Sequence, residues 1–358
     1  MVAGGGRTSH RRLPVVLGVT LLVVAAAVPA QASVGQASFA LVPQHYDPAV
    51  RATRSYFVAV AAPGTTFRNS VRVVNTGTAT GTAYLYAVDA TTGRTSGAVY
   101  LGRARPRRGV GSWITLGKTF VRLGPGESRV VSVSVAVPAN ARHGDHLGGI
   151  VAENAALTQA RGKGALQVSV RHLTIAAVEV QVPGKAAARG DVTRVFAGGE
   201  NGYQYVYLHL KSTGLLTSKP AGRLLVEDGG GTVVASRPLK LDTFLPGTQI
   251  DYPVLLAGRA LGPGTYHAVV TLSFGATPLG YRRTVGPATE IRREFDFTVS
   301  GADYATVFKG VQPATPRTRQ AAQSTGSTML MVAIAGGFVA LLAAVGSLVY
   351  GARRWSGR

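Results

Sequence analysis

The tetrapeptide at residues 143–146 places three potential metal ligands, His143, Asp145 and His146, within four residues. A metal site would need a further anchor from elsewhere in the chain, and the remaining histidines are scattered. We therefore expect no metal and no cofactor here. Two interpretations of the tetrapeptide remain open. Either Gly144 makes a turn that Asp145 caps, or His143 and His146 contact a glycan from an exposed loop.

A second group of residues that could do chemistry is the run of arginines Arg103, Arg105, Arg107 and Arg108. Guanidinium groups bind carboxylates and phosphates through paired hydrogen bonds, so this segment is a candidate anion-binding loop. The other interpretation is a solvated, mobile loop, since clusters of like charge are usually exposed. Trp113 follows the arginines, and we expect it to pack in the core.

The sequence contains no recognisable catalytic constellation. It has no cysteine, which excludes disulfides, thiolate zinc sites and thiol nucleophiles. A glycosidase would need two facing carboxylates, but Asp89, Glu127, Asp145 and Glu153 each fit a turn or a strand end. Nucleophile elbows, phosphate loops and HExxH motifs are also missing from the sequence. We therefore expect a protein that is not an enzyme.

The chain is strongly basic, with 38 lysine and arginine residues against 16 aspartate and glutamate residues and a net charge of +22. One interpretation is attraction to anionic surface polymers, and the other is the amino-acid usage of a GC-rich genome. Nucleic-acid binding would suit the charge, but the sequence predicts export and contains no recognisable nucleic-acid-binding module.

The beginning of the chain predicts a signal peptide at residues 1–32. Three arginines, Arg7, Arg11 and Arg12, precede an uncharged apolar run at residues 13–28. The small residues Ala30 and Ala32 then form a pattern that signal peptidase accepts. We expect the mature chain to begin near residue 33.

The other end of the chain predicts a membrane anchor. Residues 329–350 form an uncharged apolar run that would span about 33 Å as a helix, which matches a bilayer core. The preceding residues 312–328 are rich in proline, threonine and serine and predict an extended stalk. The basic tail at residues 351–358 predicts a cytoplasmic end, so the protein would be a single-pass type I membrane protein with its ectodomain outside the cell.

The middle of the chain predicts an all-β fold of two tandem Ig-like β-sandwich domains, followed by the single transmembrane α-helix. Apolar residues alternate with polar or small ones at residues 67–75, 82–90, 128–138, 203–211 and 266–274. Proline–glycine pairs separate many of these runs. The order of strands and turns repeats, which predicts domains at residues 38–183 and 186–300. The first copy contains an extra segment around residues 100–113.

The first copy resembles the peptidoglycan-binding domain of WxL-interacting proteins, a Gram-positive cell-surface family. The resemblance rests on residues 38–43 and 56–77, on the segment that starts with Trp113, and on residues 141–153. Members of this family have a signal peptide, two Ig-like domains, a C-terminal transmembrane helix and a basic tail. The arginine and alanine content indicates an actinobacterial relative.

The resemblance implies a non-catalytic cell-surface adaptor in the cell wall. Its first domain would bind peptidoglycan or an anionic wall polymer, through the four arginines or through His143 and His146, and its second domain would bind a surface or host protein. The alternative is a membrane-tethered extracytoplasmic chaperone or assembly factor that acts by β-strand augmentation.

Overall fold

A computed structural model describes residues 35–161, 167–256, 260–277 and 286–309. These residues form an all-β protein with sandwich-like pairs of sheets, which confirms the predicted fold class at that level. The predicted signal peptide, stalk, transmembrane helix and basic tail lie outside the described residues. None of the helices that the structure describes has the length and apolar character that crossing a bilayer requires.

The first sandwich begins with β1 and ends with β12. Its strands are β1 (Phe39–Pro43), β2 (Phe57–Val60), β3 (Thr66–Asn75), β4 (Gly81–Gly93), β5 (Gly97–Tyr100), β6 (Ile114–Leu116), β7 (Phe120–Leu123), β8 (Ser128–Ala136), β9 (Gly144–Asn154), β10 (Thr158–Arg161), β11 (Gln167–Val170) and β12 (Leu173–Val182). A 3-10 helix at Arg51–Arg54 separates β1 from β2, and α1 (Val110–Trp113) precedes β6.

Two sheets of this sandwich face each other across one core. The smaller sheet has the strand order β1-β3-β8-β6, and the larger has the order β2-β12-β9-β4-β5, with β7 also paired to β4. The period-two alternation of the sequence places Val71 and Val73 of β3 in the core, where they are fully buried, and leaves Arg72 between them exposed. Trp113 packs against the same core.

The N-terminal segment closes one side of this sandwich by joining both sheets. β1 pairs antiparallel with β3, and after the 3-10 helix β2 pairs in parallel with β12. The buried side chain of Asn154 donates to the Ala37 carbonyl at 2.8 Å, and the Thr174 hydroxyl donates to the Phe39 carbonyl at 2.6 Å. These two bonds tie β9 and β12 of the larger sheet to Ala37 and to β1.

The second sandwich follows a short linker. Its strands are β13 (Gly190–Glu200), β14 (Tyr203–Ser212), β15 (Ala221–Glu227), β16 (Val233–Lys240), β17 (Gln249–Leu255), β18 (Gly264–Phe274) and β19 (Thr289–Val299), followed by α2 (Gly301–Val307). The sheets have the orders β13-β14-β17 and β16-β15-β18-β19. Leucines and phenylalanines dominate the core, among them Leu208, Leu224, Phe244 and Phe274, all fully buried.

Candidate functional site

The tetrapeptide with His143 and His146 lies where the first sandwich meets the second. Asp145 is buried, its N–H donates to the Leu215 carbonyl at 2.8 Å, and its Oδ2 accepts the Thr217 N–H at 2.8 Å. Gly144 has a φ of +109°, and a Cβ there would lie 2.1 Å from the Leu215 carbonyl oxygen. The tetrapeptide therefore fastens the two domains to each other, which the sequence did not predict.

The two histidines hold backbone carbonyls. His143 Nδ1 donates to the carbonyl of Pro183, in the linker, at 2.5 Å. His146 Nε2 donates to the Arg142 carbonyl at 2.7 Å, and its ring centroid lies 4.9 Å from that of Trp113. Among the described residues, no three histidine, aspartate or glutamate side chains are arranged so that they could hold one metal ion. Gly144, Asp145 and His146 begin β9, and the Asp145 carboxylate bonds to Thr217 of the second domain, so the tetrapeptide does not form the capped turn of the first interpretation.

A hairpin of β4 and β5 makes the other contact between the domains. The Thr92 hydroxyl oxygen accepts the Leu245 N–H at 2.9 Å and lies 2.6 Å from the Thr248 hydroxyl. Arg94 donates from Nε to the Asp251 carbonyl at 3.2 Å. The hairpin belongs to the first domain, and its partners belong to the second. The bonded residues lie more than 150 positions apart in the sequence, so no local pattern identifies them.

The cleft between the domains is positively charged. Two neighbouring concavities of about 380 and 420 Å³ share Arg142 in their walls. Lys185 and Arg189 line one of them and Lys211 lines the other. The only carboxylate among the lining residues is that of Asp145, which already accepts the Thr217 N–H. This part of the joint would attract anionic groups.

The arginine segment is anchored by its backbone. The buried carboxylate of Asp89 accepts the N–H groups of Arg108, Gly109 and Gly111 at 2.5, 2.9 and 2.7 Å. The Asp89 carboxylate therefore anchors the C-terminal end of the arginine segment through the backbone of Arg108, Gly109 and Gly111.

The side chains of the four predicted arginines do not converge on one point. Arg103 lies 5.2 Å from the ring centroids of both Tyr84 and Tyr86, and Arg107 donates to the Gly111 carbonyl at 3.3 Å. Both line one cavity of about 420 Å³, whereas Arg105 and Arg108 are exposed and do not line it. The structure therefore divides the predicted anion-binding group into two pairs.

Within the described parts of the chain, the first half of β12, residues 173–177, is an open strand edge. β12 pairs with β9 along its whole length, but β2 covers its other edge only from Val178 to Gln181. Leu173 is 49% exposed and Ile175 is half-buried. We call residues 173–177 the open half of β12.

A polar cluster fixes the start of this open half. The buried carboxylate of Glu153 on β9 accepts the Tyr86 hydroxyl at 2.6 Å and the Arg171 guanidinium at 2.8 Å. Burial, followed by the hydrogen bond to Glu153, raises the pKa of Tyr86. Because Arg171 lies two residues before Leu173, this cluster positions the chain where the open half begins.

The edge of β17 in the second sandwich is closed. Ser212 donates its N–H to the Thr248 carbonyl, so the odd-numbered residues of β17 direct their backbone groups away from β14. Pro253 has no N–H to offer there. Arg94 and Arg237 donate to the outward carbonyls of Asp251 and Leu255. No strand could add to this edge without displacing both arginines.

The neighbouring edge strand, β16, is protected in the same way. The bond from the Leu241 N–H to the Pro220 carbonyl places the backbone groups of Pro238 on the outward side. Arg237 donates to the carbonyl of Ser236, which also faces outward. Proline and covering side chains are common devices against edge-to-edge association.

No known protein family and no curated protein matches the sequence. Solved structures do match. The class 5 fimbriae chaperone CfaA matches with 9% identity and a TM-score of 0.36 over 72% of this chain and 99% of that chain. A chain of the Salmonella enterica SafA pilin complex with the SafB chaperone matches with 9% identity and a TM-score of 0.34 over 75% and 99%. The Pseudomonas aeruginosa CupB2 chaperone matches with 11% identity and a TM-score of 0.29 over 72% and 100%.

These findings correct the prediction of an adaptor that binds peptidoglycan through its first domain. Each of the matched structures named above is a chaperone or a complex that contains one. Of the residues expected to contact a glycan, His143 and His146 are bonded to backbone carbonyls. The resemblance to WxL-interacting proteins stays a prediction. At these low TM-scores, any function for this chain must be argued from its own residues.

Proposed function

We propose that this protein is a membrane-tethered, extracytoplasmic chaperone or assembly factor that holds a protein client by β-strand augmentation at the open half of β12. The observation that carries the proposal is the uncovered backbone of residues 173–177 beside strand β2, which pairs only from Val178 onward. The predicted apolar run at residues 329–350 would supply the tether.

The phase of the β9–β12 ladder defines which backbone groups are available. Asn154 donates its N–H to the His172 carbonyl at 2.9 Å, so His172, Thr174 and Ala176 bond to β9. In an antiparallel ladder the residues between them direct their N–H and C=O groups to the opposite side. The backbone groups of Leu173 and Ile175 therefore point to the uncovered edge, where an added strand would bond to them.

The side chains along the open half suit an extended client. Thr174 and Ala176 face the core side of the sheet, whereas Leu173 and Ile175 lie on its outer face. A client strand would bond to the backbone and pack alternate apolar side chains beside Leu173 and Ile175, the arrangement that gives augmented strands their specificity. The closed edges of β16 and β17 support this assignment, because the same chain blocks strand addition at these two edges of its second sandwich.

The partner in this proposal is a protein. The Salmonella enterica structure contains a pilin together with its chaperone, and a further similar structure contains a chaperone with a tip adhesion subunit. By the same chemistry, the client of this protein would be an exported subunit with an unpaired edge or an unfilled sheet position.

Replacing Ile175 with proline tests the proposed edge. Proline removes the outward N–H and adds ring atoms at the edge, while the bonds from Thr174 and Ala176 to β9 remain. We expect Ile175→Pro to weaken binding at least about tenfold, because a hydrogen bond contributes about 0.5–1.5 kcal/mol and the ring adds steric exclusion. The measurement is the affinity of the full-length protein for heptapeptides selected from a phage-displayed random library.

The matched control is Ser236→Pro, which makes the same change in β16 at an outward position of an edge that Pro238 already interrupts. It should leave peptide binding unchanged. A library whose binders all retain their full affinity for Ile175→Pro, or a library that yields no binder, would contradict the proposed function.

A further inference from the structure

The outer edge of β4 is covered at both ends and uncovered in the middle. β7 pairs with β4 at Gly81–Tyr84, and β5 pairs with it at Ala90–Gly93. Beyond these pairings, Leu85 donates its N–H to the Thr119 carbonyl at 2.7 Å, and the Asp89 carbonyl accepts the Leu101 N–H at 2.9 Å. The gap between these bonds is centred on Ala87, and we call it the β4 window.

The backbone of Ala87 points into this window. Ala155 donates its N–H to the Thr82 carbonyl at 2.9 Å, so the even-numbered residues of β4 bond to β9 and the odd-numbered ones face outward. The bonds from Leu85 to Thr119 and from Leu101 to Asp89 confirm that these two odd-numbered residues of β4 face outward. Among the described residues, no backbone or side-chain group bonds to the N–H or the carbonyl of Ala87 on that side.

A second open edge lies opposite the window. Among the strands that the structure describes, β6 pairs only with β8, and the bond from the Gly117 N–H to the Ser132 carbonyl directs the backbone of Thr115 toward β8. The N–H and C=O groups of Ile114 and Leu116 therefore face the other way, toward β4. The two sheets of the first sandwich each leave a short edge unpaired on this side.

The space between the two edges is a cavity of about 420 Å³. Its apolar wall includes Leu85, Ala87 and Ile114, which are otherwise buried in the core, together with the half-buried Leu116. An extended segment bonded to Ala87 could direct one aliphatic side chain at this wall.

The rim of the cavity is positive. Arg103 and Arg107 line it, and no carboxylate does. The nearest buried acid along β4, Asp89, is bonded to three backbone N–H groups, and Glu153 is bonded to Tyr86 and Arg171. Neither Arg103 nor Arg107 forms an ion pair within the described part of the chain. An occupant with a carboxylate beside its aliphatic side chain would pair with the guanidinium groups of Arg103 and Arg107.

We infer that the β4 window binds an extended segment of a protein client that carries an aliphatic side chain followed by acidic residues. The segment bonds to the backbone of Ala87 and places its aliphatic side chain against the apolar cavity wall that includes Leu85 and Ile114. Its carboxylates pair with Arg103 and Arg107. This inference rests on the proposed function for the identity of its occupant as a client, but it concerns an edge on the opposite side of the first sandwich from the open half of β12.

The test uses a defined peptide and two pairs of charge reversals. The probe is a capped heptapeptide of alternating threonine and valine that ends in two aspartates, and its counterpart ends in two lysines. We expect the full-length protein to bind the acidic peptide, and Arg103→Glu with Arg107→Glu to weaken this binding at least about tenfold, because hydrogen bonds to charged groups are the stronger ones. The lysine peptide should gain affinity for the same variant. Hydrogen exchange of the Ala87 amide should slow when the acidic peptide binds.

The matched control is Arg105→Glu with Arg108→Glu, which changes the net charge by the same amount in the same segment but outside the cavity wall. Equal losses in the two double variants would show general electrostatic attraction and would overturn the inference. Failure of the unaltered protein to bind the acidic peptide would overturn it as well. If Ile175→Pro abolishes peptide binding while Arg103→Glu with Arg107→Glu does not, the window is wrong and the proposed function still holds.

Discussion

Replacing Asp89 with alanine should destabilise the first sandwich by about 2–4 kcal/mol, because three backbone N–H groups lose their acceptor at once. Gly111 is buried, so its N–H would be left without any partner, whereas Arg108 and Gly109 lie nearer to solvent. The measurement is the free energy of unfolding of the full-length protein in urea.

The position of Asp89 explains why this effect should be large. The carboxylate turns the chain from the exposed arginines into α1, whose first residue Val110 is fully buried in the core. Without the carboxylate, the arginine segment would detach, and the rim of the β4 window would detach with it. We therefore expect Asp89→Ala also to lose the binding of the acidic heptapeptide.

A carboxylate of similar geometry provides the control. Asp228 accepts the N–H groups of Gly230 and Thr232 at 3.0 and 2.9 Å in a turn whose donors are exposed. Water replaces such an acceptor, so Asp228→Ala should cost less than about 1 kcal/mol. If Asp89→Ala is no more destabilising than Asp228→Ala, the arginine segment is not held in the way described above.

The strands were predictable because their pattern is local. Alternation in residues 203–211 predicts β14, which the structure places at Tyr203–Ser212, and the alternation in residues 128–138 predicts β8 at Ser128–Ala136. Turns were predictable for the same reason. Gly64, Gly126 and Gly247 each follow a proline and have φ values of +79°, +72° and +71°, which proline–glycine turns require.

The candidate sites were not predictable, because their partners are distant in sequence. Asp145 bonds to Thr217, 72 residues away, and Thr92 bonds to Leu245, 153 residues away. The sequence shows that each residue is polar and close to a turn, but not which carbonyl or amide it will meet. For the same reason the arginine segment could be read as a mobile loop, since its anchor Asp89 precedes it by about twenty residues on another strand.

The sequence also does not show which strand edges are open and which are closed. The alternation of apolar residues in β12 is the same at Val178, where β2 covers the strand edge, and at Ile175, where β2 does not cover it. Only the prolines of β16 and β17 gave a local signal that an edge is protected. The function therefore depends on pairings that the alternation of apolar residues does not specify.

Replacing Gly144 with alanine should separate the two domains without unfolding either of them. The new Cβ would lie 2.1 Å from the Leu215 carbonyl oxygen, which is backbone and cannot rotate away, and the φ of +109° disfavours any side chain. The bonds of Asp145 to Leu215 and Thr217 must then lengthen or break. The linker between the sandwiches contains Lys185 and Arg189, so tryptic cleavage of the full-length protein at these residues measures the opening of the joint.

We expect cleavage at least about tenfold faster in Gly144→Ala, which corresponds to a loss of about 1.4 kcal/mol in the closed joint. Asp145→Ala should accelerate cleavage as well, because it leaves the buried Thr217 N–H without an acceptor. The control Gly126→Ala has a similar positive φ of +72° but meets no atom within 4 Å, so it carries the backbone strain without the collision. Cleavage in Gly144→Ala that is no faster than in Gly126→Ala would mean that the contact between Gly144 and Leu215 does not hold the domains together, and that the two sandwiches present their edges independently.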